Sequence, residues 1–285
     1  LAWCHPVLHQ RILRARKERG TKLVVVDPRR TASCDGADMH LAIAPGGDVA
    51  LFNRLLVTLA EGGALDTDYL RHVNGLEETL QAAYADPVQV TGLDPEEIEA
   101  FCTLWMQTER VVTVFSQGVN QSSSGSDKVN AILNCHLATG RIGKPGMGPF
   151  SVTGQPNAMG GREVGGLANM LTCHLDLENG AHRAAVREFW SAPTLPEAAG
   201  LKAVDMFRAV GSGRIKALWI VHSNPAVTMP DADRVRRAIA DCPFVVVSDI
   251  TRRTDTARLA DVFLPAAGWA EKSGTVTNSD RTISR

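Results

Sequence analysis

Three short apolar runs stand out along the chain: residues 23–26, 215–221 and 244–247. Each is rich in β-branched residues and does not alternate with polar ones. Such runs predict strands buried on both faces, as in parallel sheets. Amphipathic stretches at residues 6–17 and 231–239 precede the first and third runs. Helices alternating with buried strands predict α/β architecture, with two related doubly wound, Rossmann-like units and mainly parallel sheets.

The pattern repeats internally. In the first copy a helix (6–17) leads to a strand ending at Asp27, a polar segment with Arg29 and Thr31, then Ala37-Asp38 and a second apolar stretch. In the second copy a helix (231–239) leads to a strand ending at Ser248-Asp249, a polar segment with Thr251, then Ala260-Asp261 and Val-Phe-Leu-Pro. The strand-end aspartate precedes the Ala-Asp aspartate by 11 residues in one copy and 12 in the other. Ligands of parallel sheets bind beyond the carboxyl ends of the strands. An aspartate there can accept two hydrogen bonds, from a ribose diol or from guanine N1–H and its amino group. Two copies imply two similar ligands, or one ligand with two similar ends; convergence of unrelated halves is the plainer alternative. The strand at 215–221 runs into the turn His222-Ser223-Asn224-Pro225, whose Asn-Pro pair is a strong turn signal. Superposing the copies places Leu1 near His222, so the matching first strand is expected upstream of Leu1.

Between the copies, Gly47-Asp48 opens a helix over 49–60 with Asp48 expected as its N-cap. Residues 66–73 are expected to be helical. Asp94-Pro95-Glu96-Glu97 is a strong helix start, continuing to about residue 107. Residues 110–115 predict a strand, 116–125 a polar loop with Gly118, Asn120 and Gln121, and 127–138 a helix. The loop is either a ligand-binding turn or a surface connection. Residues 140–166 hold nine glycines among Phe150, Val152, Gln155, Met159 and Arg162. That mixture is not a flexible linker, and close backbone approach to a bulky cofactor is the expected reason for the glycines.

Composition narrows the choice. The net charge is −1, which gives no nucleic-acid footprint, and no apolar run is long enough to span a membrane. Six cysteines are scattered without CxxC spacing, so no metal site is expected and each is read as a buried small hydrophobe. No GxGxxG follows a first strand, which argues against a nicotinamide dehydrogenase. The chain, without an initiator methionine, is expected to be a cut from a longer protein. The domain expectation is a first dinucleotide-binding domain over 1–154, part of a second over 155–267, and a return segment over 268–285.

One stretch resembles a known signature: Val152-Thr-Gly-Gln-Pro-Asn-Ala-Met-Gly-Gly-Arg-Glu-Val-Gly-Gly166. With Trp3-Cys-His-Pro, Val25-Val-Asp-Pro-Arg-Arg-Thr, Gly118-Val-Asn-Gln, Leu137-Ala-Thr-Gly-Arg-Ile-Gly-Lys-Pro-Gly, Asn224-Pro and Trp269-Ala-Glu-Lys-Ser-Gly-Thr-Val-Thr-Asn, it resembles the molybdopterin oxidoreductases of the dimethyl-sulfoxide-reductase superfamily. The resemblance runs the length of the chain and is closest to nitrate reductases of the assimilatory type. It implies molybdenum held by two molybdopterin guanine dinucleotides. One would be bound through Asp27, Arg29, Thr31, Gly47 and Asp48, with Gly118, Asn120 and Gln121 against a pterin or its pyrophosphate. The other would be bound through His222, Ser223, Asn224, Ser248, Asp249 and Thr251. Arg162 and Gln155 become the substrate-side candidates, because a planar, permanently charged guanidinium suits the planar nitrate anion. The bland alternative for Arg162 is a pair with Glu163 or a neighbouring acid. Thr153 stands where related formate dehydrogenases carry an arginine, which argues against formate.

The resemblance further implies a 4Fe-4S cluster and a molybdenum-ligating cysteine, both outside this chain; Cys4, in its Trp-Cys-His-Pro context, is not that ligand. A C-terminal β-barrel domain is also implied outside it. The expected activity is reduction of nitrate to nitrite, with electrons from a ferredoxin, a flavoprotein or an NADH-linked subunit, in the cytoplasm. The alternatives are another substrate within the superfamily, such as formate or another oxyanion, and a non-catalytic scaffold that keeps the fold.

Overall fold

The computed structural model describes residues 1–152, 157–278 and 280–285. The chain divides into two compact units, Leu1–Gln155 and Pro156–Arg285.

In the first unit, α1 (Pro6–Arg19) leads into β1 (Val24–Val26), which pairs in parallel with β2 (Met39–Leu41). Proline at the start and Gly20, in the left-handed region at the end, delimit α1. Then come α2 (Asp48–Glu61), the short α3 (Thr67–Leu70), α4 (Leu76–Ala85) and α5 (Pro95–Gln107). α5 starts as its sequence dictates: Pro95 opens it, and Glu97 Oε2 accepts the Asp94 N–H at 3.2 Å. β3 (Val112–Phe115) is followed by the one-turn α6 (Gln117–Asn120), α7 (Gly125–Ala138) and β4 (Gly148–Ser151), which pairs in parallel with β3. The core centres on α2, whose Leu51, Leu55, Leu56 and Leu59 are fully buried against α5 and α7. Two details depart from the sequence reading. A helical turn lies within the expected polar loop, and β4 was not predicted, because Gly-Pro-Phe-Ser carries little strand propensity.

The second unit holds α8 (Ala158–Glu163), α9 (Gly180–Phe189), α10 (Ala203–Gly211), β5 (Ala217–Val221), α11 (Pro225–Thr228), α12 (Ala232–Ala240), β6 (Phe244–Asp249) and β7 (Val262–Pro265). The strands form a parallel sheet in the order β5-β6-β7. β8 (Val276–Thr277) and β9 (Ile283–Ser284) form a small antiparallel pair, and β8 packs on α8. One sheet face carries Leu218, Ile220, Val245 and Val247 into a core with Phe207, Val235 and Ile239 from α10 and α12. Burial on both faces is not what the sheet has. Trp219 (66% exposed), Val221, Phe244, Val262 and Leu264 are all exposed, because both helices pack on the opposite face.

The repeat seen in the sequence is present in the backbone. Asp38 Oδ2 accepts the Leu23 N–H at 2.9 Å ahead of β1, and Asp261 Oδ2 accepts the Val245 N–H at 2.7 Å in β6. In each copy the Ala-Asp aspartate fastens the start of one strand to the entry of its parallel neighbour. Four cysteines are buried as expected, whereas Cys4 and Cys173 are exposed.

Candidate functional site

Each unit presents polar groups at the carboxyl ends of its parallel strands. In the first, Asp27 directly follows β1. Its Oδ1 accepts the Arg29 N–H at 2.8 Å, which closes a tight turn and fixes the carboxylate. Among the described residues Oδ2 has no partner. Arg29 is exposed and makes no ion pair among the described residues. Thr31 sits at the following 3-10 turn, where among the described residues its hydroxyl meets only Cys34 Sγ, at 4.0 Å.

Gly47 is buried, and a Cβ there would lie 2.9 Å from Thr91 Cα, so the chain's own packing already demands glycine. Asp48 is not the N-cap of α2. Gly47 holds that position, and the Asp48 carboxylate instead pairs with Lys128 of α7 at 2.7 Å. Lys128 also reaches Gly118 O at 3.5 Å. The structure thus links Asp48 and Gly118 through a residue that the sequence reading passed over. Asn120 donates to Ser151 Oγ at 3.0 Å, tying α6 to β4. The neighbouring Gln121 is exposed.

In the second unit, Asp249 ends β6 and its Oδ1 accepts the Ile250 N–H at 2.7 Å, again leaving Oδ2 without a partner among the described residues. His222 follows β5 with φ 51°, a left-handed conformation uncommon for a side chain other than glycine, and its N–H is held by Ser248 O at 2.9 Å. Backbone strain of this kind concentrates at functional sites. Ser223 is exposed beside it. The Asn224 side chain is largely committed: Oδ1 accepts from Thr256 Oγ1 at 2.7 Å and from the Thr256 N–H at 3.1 Å. Thr256 is fully buried and accepts the Ala226 N–H in turn. Asn224 therefore shapes the turn through its side-chain oxygen. Ser248 Oγ takes the Trp219 indole N–H at 3.0 Å, and Thr251 Oγ1 closes a local turn with the Arg253 N–H.

Arg162 lies in the last turn of α8 and is exposed. It does not pair with Glu163. Glu163 accepts from Thr277 Oγ1 at 3.1 Å and lies 4.0 Å from Arg281, while Arg162 has no ion pair among the described residues. Nearby, glycines answer to the chain itself: a Cβ at Gly165 (φ +80°) would lie 2.8 Å from Thr172 N, and one at Gly166 would lie 2.6 Å from Gly161 O. Gly161, by contrast, faces open space. Thr153 and Gln155 lie outside the described residues. No cluster of three or more metal-ligating side chains occurs among the described residues, and no helix among them is long and apolar enough to cross a membrane.

The whole of residues 1–285 matches the family of molybdopterin oxidoreductases. The chain belongs to that family. It is 49% identical over 291 residues to the nitrate reductase of Shewanella frigidimarina, covering all of this chain and 31% of that protein. It is 36% identical over 286 residues to the F420-dependent formate dehydrogenase subunit alpha of Methanocaldococcus jannaschii, covering 98% of this chain and 41% of that protein. Its fold matches acetylene hydratase from Pelobacter acetylenicus with a TM-score of 0.64 at 20% identity, covering 94% of this chain and 39% of that one. This molybdopterin oxidoreductase chain thus spans well under half the length of the curated relatives it matches. The family implies a molybdenum–pterin cofactor.

Proposed function

We propose that this chain supplies the two nucleotide-holding units of a nitrate reductase, each gripping one molybdopterin guanine dinucleotide. The observation that carries the reading is the matched pair Asp27 and Asp249. Each stands at the carboxyl end of a parallel strand, with one carboxylate oxygen fixed by a nearby backbone N–H and the other without a partner among the described residues. That donor set fits a guanosine: the second oxygen can accept from the base or ribose, and Arg29 offers a planar donor fork to a phosphate. In this reading residues 1–154 form the first dinucleotide-binding domain, 155–267 part of the second, and 268–285 a segment returning to another domain. The 4Fe-4S cluster, the metal's protein ligand and the electron donor lie outside this chain, and the assimilatory relationship favours the cytoplasm.

When bound, the cofactor supplies the two electrons that, with two protons, convert nitrate to nitrite and water by oxygen-atom transfer. The chain's own part is binding and orientation. Asp27 and Asp249 hold the two nucleotide ends, while His222, Ser223, Ser248 and Thr251 line the second. Arg162 draws in the anion, holds it through planar donors and stabilises charge developing on its oxygens. Gln155 and Thr153 complete the substrate side. Nitrate is favoured over formate because identity is 49% to a nitrate reductase and 36% to a formate dehydrogenase subunit.

The test uses the protein translated from the complete reading frame, assayed for nitrite production with a reduced viologen and for formate oxidation with an oxidised one. Nitrite production without formate oxidation supports the reading; formate oxidation alone replaces nitrate as the substrate.

A further inference from the structure

Lys128 lies in the first turn of α7, where the helix dipole disfavours a cation. Its side chain is only 6% exposed, whereas the cations of the other ion pairs among the described residues are 39–77% exposed. Lysine is almost never so buried without a partner. A buried ion pair rarely outperforms well-packed apolar residues in stability, so stability alone does not explain its presence. What the pair does is join two loops. Lys128 Nζ meets Asp48 Oδ2 at 2.7 Å, at the start of α2, and Gly118 O at 3.5 Å, in the turn after β3. Both loops lie in the first unit and both belong to the proposed dinucleotide site. An unneutralised Asp48 beside a diphosphate would repel it, and Lys128 cancels that charge while setting the distance between the loops.

We infer that Lys128 is a positioning residue that clamps the Gly47-Asp48 helix start to the Gly118 carbonyl, fixing the loop spacing that admits a dinucleotide in the first unit. The inference rests on the proposed function. Lys128 itself contacts protein groups and is not assigned to the substrate.

The test compares Lys128→Met, Lys128→Arg and the double variant Lys128→Met/Asp48→Asn with wild type, all in the protein from the complete reading frame. Two readouts are taken: guanine dinucleotide retained per chain after gel filtration, and hydrogen exchange of the backbone amides at residues 116–121. The double variant removes both charges, so no carboxylate is stranded, and its exchange at residues 116–121, read in nucleotide-free protein, reports the clamp independently of any contact Asp48 makes with the nucleotide. The inference predicts that wild type and Lys128→Arg keep both nucleotides. Lys128→Met and the double variant are expected to lose one of the two and to exchange at residues 116–121 about tenfold faster. A double variant with full nucleotide and wild-type exchange overturns it. So does a double variant that fails to fold, because Lys128 then serves stability. Wild-type protein without any nucleotide sinks the proposed function, and this inference with it.

Discussion

Asp261 Oδ2 accepts the Val245 N–H at 2.7 Å, joining the start of β6 to the residue that enters β7. Asp38 makes the same bond to Leu23 at 2.9 Å in the first unit. The Ala-Asp element of the sequence repeat is therefore a sheet fastener, distinct from the strand-end aspartates Asp27 and Asp249. Replacing Asp261 by Ala strands a backbone donor and should cost about 1–3 kcal/mol. Denaturant unfolding followed by circular dichroism measures it; a loss below a few tenths of a kcal/mol would contradict the fastener role.

Asp38 adds a pH signature. The Arg16 guanidinium, then the Leu23 N–H, hold its carboxyl well below the usual carboxylate range. A lowered folded pKa means that the unfolded chain takes up the proton first as the solution is acidified. The Asp38 contribution should be complete above the ordinary value of about 3.9 and should fade as pH falls below it. Asp38→Asn should flatten the acid limb of the stability–pH profile in that window.

His136 acts at higher pH. It is fully buried in the first unit, with Nε2 2.8 Å from Thr113 Oγ1 and its ring 5.2 Å from Trp105. Burial, and then the charge of Arg141, push its pKa down to about 4. It stays neutral in the fold while the unfolded histidine protonates near 6.5. Stability should therefore decline as pH falls from about 6.5 towards 4. His136→Gln, which can still hydrogen-bond Thr113, should remove this slope; an unchanged slope would place its origin elsewhere.

Arg141 should matter to the fold rather than to any ligand. Its guanidinium donates to Thr108 O at 2.6 Å and Glu109 O at 3.2 Å, and lies 4.0 Å from the Trp105 ring centroid. It caps the open carbonyls at the end of α5. Arg141→Leu should cost about 2–4 kcal/mol by thermal or denaturant unfolding, with nucleotide content per folded chain unchanged.

Arg162→Ala should lower nitrate turnover by about two to three orders of magnitude, the range for losing one donor to a developing oxyanion. Cofactor content should stay at the wild-type level. Loss of cofactor in proportion to turnover would make Arg162 a cofactor ligand.

Most of this architecture was legible in the sequence because its signals are local. The valine runs of β1 and β6, the apolar β5 and the Asp94-Pro95 helix start carry their own instructions, and the repeat placed Asp27 and Asp249 at strand ends. What escaped depends on distant partners. Lys128 meets Asp48 across 80 positions, and Thr256 meets Asn224 across 32; no local pattern announces either bond. β4 escaped because its strand character comes from pairing with β3. The glycines at 165 and 166 looked like space for a ligand, yet they make room for Thr172 and Gly161. The open face of the β5–β7 sheet was equally hidden, because an apolar run does not say which of its faces will be covered.

The most direct test counts molybdenum and guanine dinucleotide in the protein from the complete reading frame, alongside Asp27→Ala and Asp249→Ala. Two dinucleotides per molybdenum in wild type, with each substitution weakening retention of one, is the predicted result. A wild-type protein with neither molybdenum nor pterin, or substitutions that leave both nucleotides in place, would contradict it.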